Sequence, residues 1–255
     1  MKNEQPSIID LIVETHVGLE RQGPGSPEMT IKALSFLDNL DKVSRVIDLG
    51  CGTGGQTMIL AQNITGNITG VDQFSDFIDI FNDNAKKLNF QERVNGIVCS
   101  IENLSFQKEE FDIIWSEGAI DNIGFEKGLS HWNGFLKNNG YVAVTCPSWF
   151  TDERPAELEK FWTDAGSILD TIGNNISIMQ KTGYNIVATF TLPDKCWTDK
   201  YFAPRDVAIN AIYEKYAGNK TIEAYIKNME YEVELYSKYK QHYGYAFYIG
   251  KKIQR

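Results

Sequence analysis

The stretch VIDLGCGTGGQT, Val46–Thr57, decides the fold. Val46, Ile47 and Leu49 read as a short buried strand, glycines follow at 50, 52, 54 and 55, and GQTMILAQN continues at helical spacing. A strand that turns through glycines into a helix offers free backbone N–H groups and the positive end of a helix to a ligand. Two spacings fit the loop. Gly50, Gly52 and Gly55 match the G-x-G-x-x-G of a nicotinamide dinucleotide site, while Gly50, Gly52 and Gly54 match G-x-G-x-G.

Working outward, strands and helices alternate. NITGVD reads as the next strand, FSDFIDIFNDNAKKLN as a strongly periodic helix, and RVNGIVCS and FDIIWSEG as strands. GFEKGLSHWNGFLKNNG reads as one helix ending at Gly140, and GYVAVTCPS as a fifth strand. Upstream, SIIDLIVETHVGLE carries apolar positions at helical spacing (Ile8, Leu11, Ile12, Leu19), and Ser26-Pro27-Glu28 opens a second helix with proline in its first turn. After Pro147 the spacing predicts helix over 152–182, a strand at YNIVATFTLP, one or two acidic, tyrosine-rich helices over 204–240, and a closing strand at YGYAFYIGKKI. Such alternation predicts a doubly wound parallel sheet with helices on both faces, in one domain with helical insertions.

Composition narrows the function. The 255 residues are 42% apolar and carry a net charge of −9, which disfavours a nucleic-acid backbone as partner. Asp10 and Glu14 interrupt any signal-peptide core, and no stretch is apolar enough to cross a bilayer. Cys51, Cys99, Cys146 and Cys196 are scattered, with no C-x-x-C pair, so they read as reduced thiols of a cytoplasmic protein and not as a metal site.

Two acidic residues refine the ligand. Asp72, at the end of the second strand, stands where a carboxylate accepts hydrogen bonds from ribose hydroxyls under either reading of the loop. Asp48 lies two residues before the first glycine, where a carboxylate would repel a pyrophosphate but tolerate an ammonium and a sulfonium. S-adenosylmethionine carries both cations and no phosphate.

At this point the chain resembles the class I S-adenosylmethionine-dependent methyltransferases, small-molecule enzymes of the ubiquinone/menaquinone-biosynthesis-like branch. VIDLGCGTG is similar to their first motif, GVD to the second, VCSIENLSF to the third, FDIIWSEGAI to the fourth and FLKNNGYVAVT to the entry of the fifth strand. The resemblance implies a Rossmann-like, mostly parallel seven-stranded sheet with an antiparallel last strand. It implies one methyltransferase domain over 1–255: N-terminal helices 1–42 covering the site, a cofactor-binding core 43–146, and substrate-side helices and closing strands 147–255. It also implies that S-adenosylmethionine meets Asp48, Gly50, Gly52, Asp72, Gln73, Ser100, Ile101, Ser116 and Glu117; the RQGPGSPEM stretch either brings Arg21 or the backbone of Gly23 to Ser26 over the cofactor's carboxylate or is simply a turn before a capped helix. In the third motif Ser100 replaces the aspartate that many relatives place on the adenine amino group.

Methyl transfer is an in-line displacement, so positioning dominates and a base matters only where the acceptor must lose a proton. Glu117, Asp121 and His131 are the candidate bases, and each has a structural reading beside it. Glu117 could instead orient the cofactor's ammonium, and His131 could be a packed surface histidine. Asp121 could cap the helix starting near Gly124. Trp149, Phe150, Trp197, Tyr201 and Phe202 could wall a pocket for a small organic acceptor or pack the added helices, and the tyrosines after Tyr231 could pack a helix or a homodimer surface. The remaining alternatives are an NAD-dependent oxidoreductase, for which Tyr236 and Lys240 have the Tyr-x-x-x-Lys spacing, and a non-catalytic protein that binds S-adenosylmethionine.

Overall fold

The computed structural model describes residues 6–254. β1 (Arg45–Leu49) pairs in parallel with both β2 (Asn67–Asp72) and β4 (Phe111–Glu117). β3 (Val94–Val98) extends the sheet beyond β2, and β5 (Leu136–Trp149) lies beside β4, all parallel. β8 (Tyr243–Lys252) runs antiparallel between β5 and β7 (Tyr184–Thr191), giving the order β3-β2-β1-β4-β5-β8-β7. This is the expected seven-stranded path, with one addition: the two-residue β6 (Asp170–Thr171) pairs with the end of β5. Strand order reverses at β1 and β4, so the crevice for a ligand opens beyond their carboxyl ends.

Helices cover both faces because the central strands are buried on both sides. In β1 only Arg45 is exposed, and in β8 the first eight residues are buried. One apolar layer includes Leu34, Leu60, Phe81 and Trp115, beneath α2 (Pro27–Leu34), α3 (Gly55–Asn63) and α4 (Ser75–Lys87). The other joins Ile47, Ile114, Leu129 and Tyr184 beneath α5 (Phe125–Trp132) and α7 (Ile172–Lys181). A third, smaller cluster ties α1 (Ile8–His16) to α9 (Ala203–Lys215) and α10 (Lys220–Tyr239) through Leu11, Ile209, Ile212, Ile222 and Ile226.

Local signals explain the starts of α1 and α2. Ser26 caps α2 by accepting from the Met29 N–H, with Pro27 in the first turn, and Ser7 and Asp10 form a reciprocal capping box on α1. Two expectations require correction. The segment read as one helix to Gly140 ends as α5 at Trp132, and β5 begins at Leu136, because Phe135 and Leu136 already pair with β4 across a register shift. The segment 152–182 is broken into α6 (Ala156–Asp164) and α7, with left-handed Gly166 and the short β6 between them. On α1, Leu11 is buried whereas Ile8 is exposed.

Candidate active site

The carboxyl ends of β1, β2 and β4 open into a cavity of about 680 Å³ that α1, α6 and α10 help to line. Gly50, Gly52 and Gly54 have φ of +76°, +53° and +91°, the left-handed region glycine enters without steric penalty. Gly55 does not share that conformation, and a Cβ on it would lie 2.2 Å from the Glu20 carbonyl. The third glycine of a dinucleotide fingerprint lets a helix approach a strand. Here Gly55 makes room for the N-terminal segment instead, so the loop's geometry follows the 50, 52, 54 spacing.

That N-terminal segment clamps the loop. The Gln22 side-chain oxygen accepts from Thr53 N–H at 3.0 Å, and its amide donates to the Thr53 hydroxyl at 3.0 Å and to the Leu19 carbonyl at 3.0 Å. Arg21 donates to the Glu117 carboxylate at 2.7 Å and to the Thr30 hydroxyl at 3.0 Å. Gly25 lies against this pair, where an added Cβ would sit 3.0 Å from the guanidinium, so the Gly23-Pro24-Gly25 turn leaves space for the ion pair. Glu117 also accepts from Thr30 at 2.8 Å and from the Trp115 indole at 2.9 Å. A carboxylate with this many partners is a structural hub beside the cavity.

Asp72 lines the cavity, accepting from Gly52 N–H at 3.0 Å and Phe74 N–H at 3.1 Å; burial raises its pKa. Gln73, Ser100 and Ile101 line the same wall, as do Arg21, Gly50, Gly52 and Glu117. Three expected residues are placed elsewhere. The Ser116 hydroxyl is fully buried and donates to the Leu49 carbonyl at 2.7 Å, joining β4 to β1 behind the cavity wall. Asp48 lies beneath the loop, accepting from the Thr57 hydroxyl, and burial pushes its pKa up to about 7. Asp48 is not among the residues that line the cavity. His131 is on the exposed face of α5, its ring edge-on to Phe135, and does not reach the cavity.

The half of the cavity away from the glycine loop is built largely from residues that short motifs do not reveal. Phe161 and Trp162 come from α6, Trp197 and Tyr201 from the segment joining α8 (Lys195–Trp197) to a π-helical turn, and Tyr225 and Glu232 from α10. Trp197 and Tyr201 were among the aromatics expected to wall a pocket or pack the added helices, and they do both. His16, from α1, donates Nδ1–H to the Ile12 carbonyl at 2.8 Å, leaving Nε2 to accept from the Tyr201 hydroxyl at 3.2 Å. Burial holds its pKa down to about 4, so the ring is neutral. Arg205 pairs with Glu232 and donates to Tyr201 at 3.3 Å. Gln22, His16 and Glu232 share no sequence neighbourhood with the glycine loop, and only the fold brings them to it.

Residues 40–201 match the profile of a family described as Methyltransferase domain. The chain belongs to that family. It is similar to malonyl-[acyl-carrier protein] O-methyltransferase 2 of Ilyobacter polytropus, at 34% identity over 113 residues. That match covers 42% of the chain and 40% of the relative, so the chain spans about two fifths of the relative's length. Among solved structures it resembles an S-adenosylmethionine-dependent methyltransferase from Geobacter sulfurreducens in complex with S-adenosylhomocysteine, with a TM-score of 0.80 at 18% identity over 95% of the chain and 97% of that one. It also resembles the [4+2]-cyclase SpnF, with a TM-score of 0.74 at 18% identity over 90% of the chain and 82% of that one. Likeness at such identity carries the fold, and that fold hosts more than one chemistry.

Proposed function

We propose that the cavity binds S-adenosylmethionine and that the chain transfers its methyl group to a small organic acceptor. The observation that carries this reading is the glycine loop, left-handed at 50, 52 and 54, facing Asp72 across the ends of β1 and β2. The surrounding residues suit the group. Asp72 would hold the ribose diol, and Ile101 with the Ser100 backbone would flank the adenine. Gly50 and Gly52 would pass beside the methionine part. The buried Arg21 Nε, which has no hydrogen-bond partner, would meet its carboxylate. When bound, S-adenosylmethionine supplies an electrophilic methyl on a sulfonium; the chain's own part is to orient donor and acceptor and to exclude water.

On this reading residues 1–255 form one methyltransferase unit: 1–42 cover the site, 43–146 hold the cofactor, and 147–255 meet the acceptor. Residues 1–5 and 255 of that span lie outside the described residues. The same reading puts the protein in the cytoplasm, acting on small molecules and not on nucleic acid. Of the tyrosines from Tyr231 onward, Tyr236, Tyr243 and Tyr245 are buried and Tyr231 is exposed on α10, which in this reading is where a second copy would pack. No helix among the described residues is long and apolar enough to cross a membrane.

Calorimetric titration with S-adenosylmethionine, S-adenosylhomocysteine and NADH tests the reading. The first two are expected to bind in the micromolar range, and Asp72→Ala to weaken both about tenfold or more, as the loss of charge-assisted hydrogen bonds implies. Binding of NADH alone would return the loop to the dinucleotide reading.

A further inference from the structure

We propose that Asp121 receives the acceptor, and that the acceptor is an amine presented as its ammonium with an apolar or aromatic body. The inference rests on the cofactor reading above and deepens it. Asp121 lies just past the end of β4, in the short 3-10 turn Ile120–Asn122. Its side chain does not cap α5, which has no side-chain cap; Gly124 N–H bonds the Asp121 backbone carbonyl at 3.3 Å. The carboxylate instead lines the cavity, with one oxygen accepting a long bond from Ser167 at 3.3 Å and the other buried without a partner.

Position puts this oxygen near the reacting end of the site. A Cβ on Gly50 would strike the Ala119 side chain at 2.2 Å, so the end of β4 touches the glycine loop two residues before Asp121. On the other side, Gly118 faces the Tyr245 ring, and Tyr245 packs edge-on to Trp197 at 5.3 Å. Asp121 thus stands between the loop that would hold the methyl donor and the aromatic wall that would hold the acceptor.

Charge selects the class. The other acids lining the cavity already have partners: Glu117 has Arg21, Glu232 has Arg205, Glu102 has Lys127, and Asp72 has the Gly52 and Phe74 amides. His16 is neutral, and Arg21 is the remaining basic residue in the lining and is paired. An anionic acceptor would meet the unpaired Asp121 carboxylate with no free cation to offset it. An ammonium satisfies that carboxylate, and its apolar body meets the aromatic side chains of Trp197, Tyr201 and Tyr245 that line the same cavity. Burial raises the Asp121 pKa, which suits a group that must also take a proton. The ammonium gives one N–H proton to the Asp121 carboxylate. The freed nitrogen lone pair then forms the N–C bond as the sulfonium S–C bond breaks, leaving a neutral thioether and a methylated ammonium; Asp121 releases the proton to water.

The test titrates three aromatic probes of similar size into protein saturated with S-adenosylhomocysteine: 2-phenylethylammonium, 4-ethylphenol and 3-phenylpropionate. The ammonium is expected to bind at least about tenfold tighter than the other two, and Asp121→Asn to lose that preference while holding S-adenosylhomocysteine as tightly as the parent. Failure of S-adenosylhomocysteine to bind the parent would sink the cofactor reading itself. With it bound, three results overturn the amine assignment: no ammonium binding, tighter binding of the phenol or carboxylate, or an unchanged preference in Asp121→Asn. A loss in the variant confined to S-adenosylmethionine would place Asp121 at the sulfonium and overturn the assignment equally.

Discussion

At the scale of single residues, Asp48 shows how burial alters what a motif position means. In the sequence it is a fixed negative charge that discriminates between nucleotides. In the fold its carboxyl is pushed from 3.8 to about 7 by burial, so it is partly protonated at neutral pH. Between those values the folded chain keeps a proton that the unfolded chain releases. The contribution of Asp48 to stability is therefore greatest at low pH and declines as pH rises toward 7. His16 acts in the opposite sense: held neutral with a pKa of about 4 against 6.5, it loses stability as pH falls through that window. The two slopes oppose each other where they overlap, so a variant is needed to expose either. Asp48→Asn keeps an acceptor for the Thr57 hydroxyl and removes the titration. Relative to the parent, it should gain about 2 to 3 kcal/mol in stability between about pH 5 and pH 8. Denaturant titrations of both proteins at those two pH values measure this, and a constant difference would show that Asp48 ionises normally in the fold.

At the scale of elements, the β1–α3 loop is held between two neighbours of different stiffness. At Gly50 an added methyl meets the Ala119 side chain, attached directly to the backbone at the end of β4. At Gly52 it would lie 1.8 Å from the Gln22 side-chain oxygen, the far end of a side chain that can swing away at the loss of its bonds to Thr53. Both positions also need φ above zero, which costs an L residue about 1 to 2 kcal/mol. Gly50→Ala should therefore lower the melting temperature more than Gly52→Ala. Gly52→Ala should release the N-terminal clamp and expose residues 16–25 to faster amide exchange. Equal melting temperatures for the two variants would refute that difference in stiffness. The strands around this loop were legible because buried parallel strands read as unbroken apolar runs. The α5–β5 boundary was not, because Phe135 and Leu136 continue the helical apolar spacing of Leu129 and Trp132 while their backbones bond to β4. Periodicity registers which side chains are buried, and both outcomes bury the same ones.

At the scale of the whole molecule, α1 packs on the late helices α9 and α10 beside the site. The cluster of Leu11 with Ile209, Ile212, Ile222 and Ile226 joins α1 to α9 and α10, and the buried Arg205–Glu232 pair ties α9 to α10 beneath it. Arg205 is fully buried, so removing its charge alone leaves Glu232 unpaired in an apolar setting. Arg205→Met should cost about 3 to 5 kcal/mol, and the double variant with Glu232→Leu should recover most of that, because an apolar pair of similar volume replaces a desolvated ion pair. Denaturant unfolding of the parent and both variants decides it; a double variant as unstable as the single one would show that the hydrogen bonds to Tyr201 and Met229 carry the cost.

The sequence by itself determined the alternation of strands and helices, the glycine loop with Asp72 at the next strand end, and the lack of a long apolar span. Each of these is local: it depends on period, on backbone conformations that favour glycine, or on composition. Tertiary structure decided which glycines turn left-handed, that Ser116 and Asp48 face away from the cavity, and that His131 lies in solvent. It also decided that Gln22, His16, Asp121 and Glu232 share one cavity. The physical reason is that side-chain direction and charge partners depend on contacts between residues far apart in the chain, such as Lys215 with Glu14, 201 positions away, which no period or motif records.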